Sequence, residues 1–174
     1  MKDALIVIDM QKDFLTGSLA NAKAESVTKN VKEKILQYRE QGKDIIFTRD
    51  THENDYMQTL EGKNLPVLHC IKGTDGWEIV DGFVQAHDKI FDKPTFGSLD
   101  LAEYVRLKNY QSVELVGVCT DICVVSNALL LKAFCPETIV CVDALCCAGV
   151  SEESHRFALK TMGACQVVVQ NANY

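Results

Sequence analysis

The sequence predicts an open three-layer α/β/α fold with helices on both faces of a six-stranded parallel sheet. Three observations predict it. Six short apolar runs alternate with segments of helical period. The runs are nearly continuous in apolar character, as strands buried on both faces must be. The residues able to do chemistry fall at or just past the carboxyl ends of those runs, where open α/β sheets place their sites.

Taken in order, Ala4 to Ile8 reads as the first strand, closed by Asp9. Glu25 to Gln41 has helical period and stops at Gly42, and Asp44 to Thr48 is the second strand. From Thr51 to Gln85 the rhythm breaks. The stretch is rich in Gly, Asn, Asp and His, and it reads as a long functional excursion with a short helix near Trp77 to Val80. Lys89 to Phe91 resumes the sheet, and a helix from Leu99 to Lys108 follows Ser98. Ser112 to Val118 is the fourth strand, and the helix Asp121 to Phe134 stops before Pro136. Thr138 to Val142, a helix from Ser151 to Met162 stopping at Gly163, and Gln166 to Val169 complete the pattern.

The chain has 174 residues, 47% of them apolar, enough for one domain over 1–174 with a core sufficient for an enzyme. A net charge of -6 without a basic cluster argues against nucleic acid, which needs clustered Lys and Arg. Ala4 to Ile8 is too short for a signal-peptide core, and the apolar stretch around Ile122 to Leu131 is far below the ~20 residues that cross a bilayer. The expectation is a cytoplasmic protein without membrane contact. Several of the eight cysteines sit inside apolar runs, among them Cys141 and Cys165, and read as reduced, mostly structural thiols.

In Gly117-Val-Cys-Thr-Asp-Ile-Cys123 a buried strand turns into a helix, with Thr120 or Asp121 as cap and Cys123 in the first turn. The positive end of a helix dipole favours thiolate and lowers a cysteine pKa from ~8.5. Asp9 and Lys93 end the first and third strands, where a charge is costly unless paired or functional. With a cysteine at the fourth strand's exit they form a plausible catalytic set. Asp50-Thr-His52 and His69 supply a carboxylate and two imidazoles, the donors of a divalent-metal site. Glu61 is a candidate fourth ligand, although Glu53 and Asp55 beside it also suit a solvated acidic loop. His87 and His155 read as surface residues.

Asp9-Met-Gln-Lys-Asp-Phe14 followed by Gly17-Ser-Leu-Ala, Thr48-Arg-Asp-Thr-His52, His69-Cys-Ile-Lys-Gly-Thr-Asp-Gly76 with Glu78, and the Gly117 to Val124 turn together resemble the isochorismatase-like cysteine hydrolases, nicotinamidases in particular. The resemblance runs nearly end to end. It implies strand order 3-2-1-4-5-6, a triad of Asp9, Lys93 and Cys123, and a cis peptide between Val118 and Cys119 that turns the Cys119 and Cys123 amides into an oxyanion hole. It also implies one divalent metal, zinc with iron or manganese as alternatives, on Asp50, His52 and His69, and a substrate ring packed on Phe14. The implied reaction is hydrolysis of nicotinamide to nicotinate and ammonia through a Cys123 thioester, a step of NAD salvage, in a homo-oligomer acting on a small-molecule amide. Two departures stand out: Leu65 occupies the place of a ring-stacking Trp, with one extra residue before His69, and no second histidine follows His52, which leaves Glu61 to replace it.

Other readings have definite requirements. A related amidohydrolase would act on a carbamoyl or ureido compound or another aromatic amide. Isochorismate-cleaving relatives lack the cysteine. A haloacid-dehalogenase-like phosphatase needs a second carboxylate two residues after Asp9, where Gln11 stands. A non-enzymatic binding module on a flavodoxin-like sheet gives Asp9, Lys93 and Cys123 no reason to converge.

Overall fold

The computed structural model describes residues 2–172. Six strands, β1 (Asp3–Ile8), β2 (Asp44–Asp50), β3 (Lys89–Lys93), β4 (Ser112–Val118), β5 (Ile139–Ala148) and β6 (Val168–Gln170), form one parallel sheet in the order β3-β2-β1-β4-β5-β6. The central strands are the most apolar: Ala4 to Ile8 and Val113 to Val118 are buried throughout. At the edges, β3 and β6 are largely open, so burial on both faces holds only for the interior of the sheet.

The helices are α1 (Lys12–Leu15), α2 (Ala22–Glu40), α3 (Leu60–Asn64), α4 (Leu99–Lys108), α5 (Val125–Phe134) and α6 (Glu152–Ala164). Helix α2 buries Ala24, Val27, Val31 and Ile35, spaced three to four apart, in a core with Leu5, Val7, Phe47 and Val116. On the opposite face α4, α5 and α6 bury Leu101, Val105, Ala128, Leu131, Leu159 and Met162 against Ile6, Ile8 and Leu115. Ser98 and Ser151 cap α4 and α6 through their hydroxyls. Among the described residues no helix is long and apolar enough to cross a membrane.

Several expected elements are corrected. The short helix near Trp77 to Val80 is a 3₁₀ turn at Asp75–Trp77, after which Ile79 runs extended and bridges Gln11. Two short helices, α1 and α3, have too few turns to show a period. The helix expected from Asp121 begins as a π-helical turn, Thr120–Val124, before α5. Neither Thr120 nor Asp121 caps it; the N-cap position is Cys119, which makes no side-chain cap. Asp121 instead accepts from the Val150 amide, and the Thr120 hydroxyl meets His155 Nδ1 at 2.8 Å. His155 is therefore a half-buried partner of this turn rather than a surface residue, while His87 is exposed.

Candidate active site

The carboxyl ends of β1, β2, β3 and β4 lie side by side, and each delivers one side chain. Gly117 permits the close approach of β4 to β1: its φ is +117°, and a Cβ there would overlap the Ile8 backbone. Past Ile8 the chain turns through Asp9 at φ +48°, a left-handed conformation that Asp tolerates better than most residues. The Thr48 hydroxyl donates to Asp9 Oδ1 at 2.6 Å and accepts from the Asp9 amide at 3.2 Å, so β2 fixes the carboxylate.

Lys93 is fully buried, with Nζ 2.7 Å from Asp9 Oδ2, 3.2 Å from Asp50 Oδ1 and 3.5 Å from Cys123 Sγ. Asp9 Oδ2 is close enough to Nζ for charge pairing but makes no hydrogen bond of good geometry, and no other buried side-chain oxygen among the described residues shares that condition. An unsatisfied, dehydrated carboxylate oxygen next to a thiol is the arrangement a proton acceptor needs.

Burial pushes the Cys123 thiol well above its ordinary pKa, Asp9 adds to this, and Lys93 opposes it. The helix-dipole expectation of a lowered thiol is thereby corrected: desolvation of a fully buried sulfur outweighs the end of a short, irregular turn. Asp9 is likewise raised by burial against the pull of Lys93. Burial works against the Lys93 ammonium, but Asp9, Cys123 and Asp50 outweigh it and hold its pKa well above normal. These directions favour a neutral thiol beside the Asp9–Lys93 contact. Cys119, also on the cavity wall, has its thiol raised by burial to about 12. The peptide between Val118 and Cys119 is cis.

Asp50 joins this cluster to a second one. Its Oδ1 faces Lys93, while Oδ2 lies 3.1 Å from His52 Nε2 and 3.6 Å from His69 Nε2. Burial raises the Asp50 carboxyl, but the two imidazoles and Lys93 more than offset that and hold it well below the usual range. Glu61, on α3, brings Oε1 to 3.7 Å from His52 Nε2. One donor atom from each of Asp50, His52, Glu61 and His69 lies within 4.8 Å of all the others, while Glu53 and Asp55 stay exposed. The donor set fits a divalent metal. His69 Nδ1 lies 2.8 Å from the Val67 carbonyl, the contact that fixes the tautomer and leaves Nε2 free to ligate.

Sequence reasoning missed the residues that hold this cluster. Tyr56 packs between His52 and His69, ring centroids 4.5 and 5.0 Å away, and its hydroxyl donates to the Leu65 carbonyl. Gln11 ties three segments together, donating to the Asp50 and Trp77 carbonyls and accepting from the Asp50 amide. Only a buried glutamine between two strand ends signals this, and a single sequence does not show burial.

A cavity of about 670 Å³ opens over both clusters. Phe14, Leu19, Leu65, Phe96, Ile122 and Val150 form its apolar wall, with Cys123 and Cys119 on one side and Asp50, Glu61 and His69 on the other. Phe14 stands at 58° to the His69 ring with centroids 5.9 Å apart. No Arg or Lys lines it among the described residues.

This sheet order, with Asp, Lys and Cys converging at the strand ends beside a four-donor cluster, defines a hydrolase of the isochorismatase type. The chain belongs to the isochorismatase domain family, whose model matches residues 3–173. It is 27% identical to an uncharacterized isochorismatase family protein of Bacillus subtilis over 91% of this chain and 93% of the relative. It is 25% identical to the nicotinamidase/pyrazinamidase of Mycobacterium tuberculosis, covering 94% and 96%. Among solved structures it is similar to the pyrazinamidase of Pyrococcus horikoshii in complex with zinc, with TM-score 0.87, 27% identity and coverage of 97% and 98%.

Proposed function

We propose that the chain hydrolyses a small uncharged carboxamide, nicotinamide foremost, with Cys123 as nucleophile. The observation that carries this reading is the contact of buried Lys93 Nζ with Asp9, Asp50 and Cys123, the last two of which line the cavity. Asp9 Oδ2 takes the thiol proton as Sγ attacks the amide carbon, and Lys93 holds the new charge pair. The amides of Cys119 and Cys123 stabilise the carbonyl oxygen. Asp9 then passes its proton to the departing nitrogen, ammonia leaves, and water activated by Asp9 cleaves the thioester to the carboxylate. A divalent ion, zinc foremost with iron or manganese as alternatives, held by Asp50, His52, His69 and Glu61 would supply a Lewis-acid anchor for a ring nitrogen. Phe14 and Leu65 flank the ring.

A cavity without Arg or Lys on its wall favours this reading over an anionic ureido or carbamoyl acid, whose carboxylate would find no cation there. Zinc in the Pyrococcus pyrazinamidase and the name of the mycobacterial relative support the metal and the amide. The reading extends to a homo-oligomer in a reducing cytoplasm, with nicotinate feeding NAD salvage. Ammonia release from a panel of amides, before and after chelation and zinc return, tests it. Turnover of nicotinamide lost on chelation and restored by zinc is expected; no turnover of any amide by metal-loaded protein overturns it.

A further inference from the structure

The motif Asp9 to Phe14 contains a second aspartate that the proposed reaction does not use. Asp13 lies on α1, away from the thiol, and both its oxygens are taken by backbone amides. Oδ2 accepts from Cys70 at 2.7 Å and Oδ1 from Ser18 at 3.1 Å, while its own carbonyl accepts from Leu19 at 3.0 Å. Cys70 follows His69 and sits at φ +47°, a left-handed conformation unfavourable for a non-glycine residue. Its carbonyl accepts from the His52 amide at 3.0 Å, and the Lys72 amide returns to the His52 carbonyl at 2.9 Å. The Cys70 peptide is thus held by Asp13 at one end and by His52 at the other, between the two histidines. Gly17 and Gly76 make room for the carboxylate: a Cβ on either would overlap the Asp13 side chain.

We infer that Asp13 is a positioning residue, whose carboxylate holds Cys70 in its left-handed conformation and so aims His69 at the metal position. This rests on the metal reading above. A charged acceptor is suited to the task, since bonds from backbone amides to a carboxylate are about twice as strong as neutral ones. Through Ser18 the same carboxylate holds the segment that lines the cavity wall, and the Asp13 carbonyl holds Leu19 beside it, so the substrate side and the metal side share one anchor.

Zinc affinity of the metal-free protein, measured by competition with a chromophoric chelator, provides a readout independent of turnover. Asp13→Ala should bind zinc at least tenfold more weakly, the scale on which outer partners tune metal sites. Asp13→Asn, which keeps one acceptor oxygen, should fall between it and the wild type. Gly76→Ala, which displaces the carboxylate without removing it, should also weaken binding. Lys12→Ala, a neighbour on α1 that pairs with the surface acids Asp75 and Asp81, should not. Wild-type affinity in a folded Asp13→Ala overturns the inference alone. If that variant does not fold, unchanged affinity in both Asp13→Asn and Gly76→Ala overturns it equally. A wild-type protein that takes up no zinc overturns the metal reading and this inference with it.

Discussion

Thr48→Val should move the acid side of the pH–rate profile without touching any group that meets substrate. Among the described residues the Thr48 hydroxyl is the one donor of good geometry to the Asp9 carboxylate, at 2.6 Å in a site with no solvent exposure. Valine has nearly the same shape, so the change deletes a charge-assisted bond and little else. A hydrogen bond to a charged group is worth about 1.5–3 kcal/mol, which at 1.36 kcal/mol per unit raises the acid limb of kcat/KM by about 1–2 pH units. The direction follows from Asp9 having to be ionised to accept the thiol proton, whereas losing a donor favours its neutral form. Because Asp9, Lys93 and Cys123 interact strongly, the limb belongs to the set rather than to one residue. Stability gives a second check. Burial already raises the folded-state Asp9 pKa, and a group raised in this way contributes stability that is present at low pH and lost as pH rises through its folded value. The penalty of Thr48→Val should therefore grow with pH. Steady-state kinetics from acid to neutral pH, with thermal melts alongside, measure both. An unmoved limb with a wild-type plateau would show that Asp9 is not the proton acceptor.

Cys123→Ala and Asp9→Asn should each abolish ammonia release, whereas Cys119→Ala should retain much of it, since Cys119 contributes a backbone amide; full activity in Cys123→Ala refutes the nucleophile assignment. Nicotinamide should be preferred over benzamide, which offers no ring nitrogen to a metal, and equal kcat/KM for the two would refute that contact. Leu65→Trp should lower KM for nicotinamide roughly three- to tenfold, the worth of an aromatic pair at about 0.5–1.5 kcal/mol, because Leu65 lines the cavity and its carbonyl is pinned by Tyr56. Lys34→Met removes the cation 2.9 Å from Glu114 and 2.8 Å from Asp143, both buried on the sheet. It should cost about 3 kcal/mol, the low end for breaking a buried pair, or roughly 6–12 °C in Tm. Asp143 is held below its ordinary pKa despite burial, by Lys34 and Asn171, so this contribution is present at neutral pH and fades as pH falls through the carboxylate range; a pH-independent loss would contradict it.

The central sheet was legible because β1 and β4 are buried on every side and their sequences carry almost nothing but apolar residues. Strand ends were less so. β2 and β3 continue two residues past their apolar runs, to Asp50 and Lys93, the polar ends to which the proposed function assigns chemistry. β5 reaches Ala148 through Asp143 because Lys34 and Asn171 satisfy that acid from elsewhere in the chain. In the site, Asp9, Lys93 and Cys123 could be nominated by position, since the two charges close strands and the thiol lies in the turn that leaves β4. Thr48, Gln11, Tyr56 and Asp13 could not, because their roles depend on partners 9 to 66 residues away or on which backbone group faces them. The thiol's pKa went the other way from the dipole argument for the same reason: burial is a property of the whole fold.

The charges at the strand ends support the metal and the triad as one device. Three carboxylates, on Asp9, Asp50 and Glu61, meet one ammonium, on Lys93, beneath a largely apolar cavity. With all three ionised, a surplus of two negative charges would oppose formation of a thiolate in the same space. A divalent cation on the Asp50 side would cancel it, and in the proposed mechanism passage of the thiol proton to Asp9 would keep the sum unchanged as Sγ becomes nucleophilic. Asp50, with one oxygen toward Lys93 and the other toward the two histidines, is the link through which each half feels the other. Removing the metal should then do more than release a ring nitrogen. It should also slow Cys123 alkylation by iodoacetamide, a reaction that needs the thiolate but no ring. Equal alkylation rates with and without zinc would mean that the two clusters are electrostatically independent.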